Sequence, residues 1–89
     1  MQLSSMTKND SVGKVVHWYD KIGVAVVKLN KSLDLGAKVK IKHGPQEFQE
    51  TIGSMEFDHQ PIKSGKKGQE VAIKLSQKAG EGSELCLVE

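Results

Sequence analysis

From residue 12 onward the apolar side chains come in short β-branched runs cut by glycine, proline, asparagine and aspartate, a texture that predicts strands and turns. Residues 12–19 make the first expected strand, and Asp20-Lys21 a tight connection into residues 22–29. That second segment, Ile22-Gly23-Val24-Ala25-Val26-Val27-Lys28-Leu29, is apolar on both faces and so reads as a central strand, with Gly23 and Ala25 at places of close approach. A loop over residues 30–36 should tuck Leu33 and Leu35 against the mouth of the core and turn at Gly36. Lys38-Val39-Lys40-Ile41-Lys42 then alternates strictly, which sends Val39 and Ile41 inward and three lysines to the other side.

His43-Gly44-Pro45 ends that strand, and residues 48–58 resume as a long one with Phe48, Ile52, Met55 and Phe57 facing the core. The hydrophobic phase slips near Gly53, which predicts a bulge, although the spacing also permits two strands. A Lys-Gly-rich loop over residues 61–68 leads to a strand at 69–76 with Val71, Ile73 and Leu75 inward; a turn at 78–82 precedes the last strand at 84–88. With no helical period and no internal repeat, the expectation is an all-β protein: a single small closed six-stranded antiparallel β-barrel over residues 12–89. Val24, Val39, Ile41 and Ile73 should line its inside. Residues 1–11 read as a flexible leader, or alternatively as an added edge strand or short helix using Leu3 and Met6.

Composition narrows the function classes. A chain of 89 residues holds one core, in which about 60–65% of the unfolded surface is buried. Its 37% apolar and 27% charged residues keep it clear of the disordered regime. The formal charge of +2 hides a bias, because every basic residue is lysine. Lysine attracts phosphate as a point charge and lacks arginine's bidentate fork, so any nucleic-acid contact should be directed to the backbone and weaken with salt. The lone Cys86, the lack of a signal-peptide pattern and the lack of a membrane-length apolar run lead to the expectation of a cytoplasmic chain with no membrane contact.

Several stretches resemble the β-barrel that forms the second domain of elongation factor Tu and related translation GTPases. They are Val12-Gly13-Lys14-Val15, Lys21-Ile22-Gly23-Val24-Ala25-Val26-Val27, Leu33-Asp34-Leu35-Gly36-Ala37-Lys38-Val39, Ile52-Gly53-Ser54-Met55-Glu56 and Gly68-Gln69-Glu70-Val71-Ala72-Ile73. The resemblance implies a non-catalytic binding module of translation that contacts RNA or a ribonucleoprotein. It does not extend to a nucleotide site. Around Ser64-Gly65-Lys66-Lys67, Gln60 stands where the first glycine of a phosphate loop is needed, and Lys67 replaces the hydroxyl that would hold magnesium. No nucleoside triphosphate and no cofactor is therefore expected.

Among candidate sites, the lysine stripe Lys38, Lys40 and Lys42, joined by Lys14 and Lys28 if the first three strands are neighbours, is the expected nucleic-acid-binding face. Its ammonium groups would stand about 6.6 Å apart, near the phosphate spacing of a single strand. The plainer reading is an ordinary solvated strand face. His17, His43, His59 and Cys86 could in principle hold zinc, but no two of them have ligand-pair spacing, and no metal site is expected. Cys86 between Leu85 and Leu87 reads as an inert strand cysteine, and no catalytic residue is assigned. Glu47, Glu50, Glu56 and Asp58 read as solvated partners of cross-strand lysines. The rival function is a protein-interaction or accessory module without an RNA role.

Overall fold

The computed structural model describes residues 11–88, so the leader expectation falls outside the described residues except for Ser11, which opens the first strand. The strands are β1 (Ser11–Tyr19), β2 (Val24–Leu29), β3 (Leu33–Asp34), β4 (Lys38–His43), β5 (Gln46–Thr51), β6 (Met55–Phe57), β7 (Gln60–Pro61), β8 (Ser64–Gly65), β9 (Glu70–Lys74) and β10 (Glu84–Leu87). Among the described residues, no helix is long and apolar enough to cross a membrane.

The five longer strands with β6 and β7 lie in one eight-stranded antiparallel sheet with β10, in the order β5-β4-β10-β1-β2-β9-β6-β7, and β3 pairs separately with β8. β2 is central, as its two apolar faces predict: Val26 pairs with His17 of β1 on one side and with Ala72 of β9 on the other. It starts at Val24 and not at Ile22, because residues 20–23 form the turn. Gly23 takes φ 66°, a left-handed value that favours glycine, and its N–H donates to the Tyr19 carbonyl at 2.9 Å. Between β10 and β1 the first and last described strands meet, with Ser11 opposite Cys86.

A flat sheet would put β5 and β6 six strand spacings apart, about 29 Å. Yet only residues 52–54 join them, a reach of at most about 14 Å. The sheet must therefore curl until its flanks face one another. Glu50 of β5 helps hold them: its carboxylate accepts from the Ser76 hydroxyl at 2.7 Å and the Ser76 amide at 3.3 Å, just beyond β9. The long strand expected over residues 48–58 is thus two strands, one serving each flank.

The expectation of a closed six-stranded barrel is corrected in this respect. The hydrogen-bonded order begins at β5 and ends at β7, and these two strands do not pair with each other, so the sheet is curled but its ladder is not closed. The core inside the curl contains Val12, Val15, Val27, Leu29, Val39, Ile41, Ile52, Met55, Val71, Ile73 and Leu85, all 1% exposed or less. Leu33 is buried as expected, pinned by β3, whereas Leu35 is exposed. Val24 is the one expected interior marker that does not enter the core; it stands half-buried on the outer face.

Candidate functional site

Residues directly opposite one another on neighbouring strands share a face, so strand register assembles the outer surface in rows. The first row crosses six strands: Glu47, Lys42, Glu84, Lys14, Lys28 and Glu70, each opposite the next. Three of the five expected nucleic-acid lysines stand here, interleaved with carboxylates, and only Lys14 and Lys28 face each other directly. Lys38 is opposite Thr51, and Lys40 lies between Gln49 and Cys86. Lys38 is exposed but Lys40 and Lys42 are half-buried. The fold therefore brings Lys14, Lys28 and Lys42 into one mixed-charge band and leaves Lys38 and Lys40 outside it.

The next rows differ in character. A bulge in β1 lies where the register moves from Val15 opposite Val27 to His17 opposite Val26, and it turns both His17 and Tyr19 outward. His17, Val26, Ala72 and Glu56 then form the second row, and Tyr19, Val24 and Lys74 the third. The His17 and Tyr19 rings meet at a tilt of 57° with centroids 4.4 Å apart, and His17 Nδ1 lies 3.2 Å from Glu81. Ile22, 60% exposed in the turn, extends the apolar strip.

Tyr19, Ile22, Val24, Val26 and Ala72 floor a groove of about 510 Å³ rimmed by Ser54, Glu56, Asp58, His59, Glu70 and Lys74. Asp58 and His59 make the two-residue turn between β6 and β7, both with positive φ, at 55° and 65°. Sequence alternation misses this strip, because Val24 and Val26 read equally well as interior residues of a central strand.

A second cleft, of about 720 Å³, opens beside the β4–β5 hairpin and includes His43, Glu47, Lys78 and Ser83 in its walls. Ser83 and His43 do not make a nucleophile and base there. Ser83 is fully buried, and its hydroxyl donates to the Gly80 carbonyl at 2.6 Å. Cys86 is a free, buried thiol in β10. Among the described residues, no three histidine, cysteine, aspartate or glutamate side chains gather as a metal site.

No protein-family profile matches the sequence. The likeness to solved structures is one of fold. Two crystal structures of the C-terminal domain of a Geobacillus thermoleovorans protein, assigned to the U32 peptidases, superpose with a TM-score of 0.83 at 15% identity. One match covers 99% of this chain and 100% of that domain; the other, a selenomethionine form, covers 88% and 99%. A particular relative appears at the level of sequence: a Methanocaldococcus jannaschii protein named as an uncharacterized protease is 29% identical over 86 residues. Those residues are 96% of this chain but only 21% of that relative's length.

These findings correct the expected kinship with the second domain of elongation factor Tu, and with it the translation role and the RNA or ribonucleoprotein partner. The Geobacillus and M. jannaschii proteins are both named as peptidases. The stretches that suggested otherwise are turn glycines and apolar runs, which small curled β-sheets share for packing reasons. The mixed-charge band gives the physical counterpart, since Glu47, Glu84 and Glu70 offset the lysines that a phosphate chain would need.

Proposed function

We propose that this chain is a non-catalytic accessory domain that works beside a peptidase catalytic domain, carried on the same polypeptide or on another. The observation that carries the reading is the extent of the structural match, in which essentially the whole chain corresponds to the whole of a C-terminal domain. The length relation to the M. jannaschii protease supports it as well, because the matching segment leaves about four-fifths of that protein to hold the chemistry. The buried hydroxyl of Ser83 and buried thiol of Cys86 accord with a supporting role. The free thiol also accords with a reducing compartment, and the cytoplasm is the proposed location.

Two measurements test this. The chain alone, incubated with a fluorogenic peptide library, is expected to release no product above buffer. In gel filtration it is expected to co-elute with the M. jannaschii protease from which the matching segment has been deleted. Hydrolysis that disappears on substituting a residue of this chain would replace the accessory reading with an enzymatic one, and separate elution would remove the peptidase partner.

A further inference from the structure

The outer surface of a single-layer curled sheet is normally polar, because one face packs the core and the other meets water. The charged band obeys this rule. In the next two rows along the same strands it fails: Val24, Val26 and Ala72 stand side by side on the outside, continued by Tyr19 at 47% exposure and Ile22 at 60%. Contiguous apolar surface rimmed by polar groups marks an interaction site more often than isolated exposed side chains do. The rim here also has a sign. Among the groove's lining residues Glu56, Asp58 and Glu70 supply three exposed carboxylates against the ammonium of Lys74, and of the three only Glu70 has a lysine, Lys28, opposite it in register.

We propose that this groove is the face by which the domain docks onto its protein partner, and that the partner presents apolar side chains flanked by lysine or arginine. The inference rests on the accessory-domain reading and adds to it the surface and the partner's chemistry. Apolar side chains lie against Val24, Val26, Ala72 and Tyr19, where burial gives affinity, while the flanking cations meet Glu56, Asp58 and Glu70 at the rim. Charges at a rim mainly steer encounter and exclude partners of the wrong sign. A second copy docked through the same face would set the carboxylates of Glu56, Asp58 and Glu70 against their own equivalents, so a symmetric pair is the poorer match.

The probes are two synthetic peptides of equal length and apolar content, one alternating valine and leucine with lysine, the other alternating them with glutamate. In amide chemical-shift titrations the lysine peptide is expected to move the signals of Tyr19, Val26 and Ala72, and to bind more weakly at high salt. The glutamate peptide should leave those signals in place. The double variant Glu56→Gln, Glu70→Gln, which keeps the shape of the rim, is expected to weaken the lysine peptide about five- to tenfold. Val26→Thr is expected to weaken it as well, with the spectrum of the free protein otherwise retained.

Equal binding of both peptides, shifts centred on another face, or no shift of these amides would overturn the proposal. So would concentration-dependent shifts of the same amides without peptide, which would assign the groove to a second copy. Failure here is distinct from failure of the accessory reading. A silent groove in a chain that still co-elutes with the truncated protease removes only the docking face, whereas peptide hydrolysis by the chain removes the accessory role.

Discussion

Gly13 of β1 stands opposite Leu29 of β2, and its neighbours leave no room for a side chain. A Cβ there would stand 2.6 Å from Val27 Cγ1 and 2.7 Å from the Lys28 carbonyl oxygen. The first atom belongs to a fully buried side chain and the second to backbone, so neither can move aside cheaply. Gly13→Ala is expected to destabilise the fold by about 1–3 kcal/mol, read as a lower urea midpoint with an unchanged slope. Nothing in the residues around Gly13 announces this, since the crowding comes from a strand that follows in sequence and folds back over it. Phe57 illustrates the opposite error. Alternation with Met55 places it inside, but β6 pairs with β9 only through Met55 and Glu56, so Phe57 overhangs the core and remains 37% exposed.

At the scale of elements, strands with several alternating residues could be read from the chain, and those with two could not. β4 is legible because five residues keep one phase, and β9 because Val71 and Ile73, with Leu75 just past its end, do the same. β3, β7 and β8 have two residues each, too few to show a period; β7 exists because β6 offers it a pairing edge, and β3 and β8 because the fold brings them against each other. The β6–β7 hairpin is the case with a measurable cost. Two-residue hairpin turns with positive φ at both positions favour asparagine followed by glycine, and here Asp58 and His59 occupy them. The double substitution Asp58→Asn, His59→Gly, which installs the favoured pair, is expected to raise stability by about 1 kcal/mol in thermal or urea unfolding. A loss of stability would mean that the two native side chains hold the turn by contacts that outweigh its backbone strain.

For the molecule as a whole, the sequence discloses an all-β chain with a closely specified interior, because inward residues announce themselves by period. It does not disclose how the exterior is organised. Lys38, Lys40 and Lys42 form a stripe along one strand, but the carboxylates that offset part of it lie on β5 and β10, as much as 42 residues away between Lys42 and Glu84. The apolar groove is hidden for the same reason, since its outer rows are assembled from β1, β2, β6 and β9 by register alone. The opposition of Ser11 and Cys86 carries one more consequence. Paired antiparallel residues stand about 4.5–5.5 Å apart at Cα, so a short glycine linker could splice residue 88 to residue 11, with new ends cut at the exposed Gly44-Pro45 turn. Such a circular permutant is expected to keep the far-ultraviolet circular dichroism of the parent, and a host protein could accept this unit within a surface loop as readily as at a terminus.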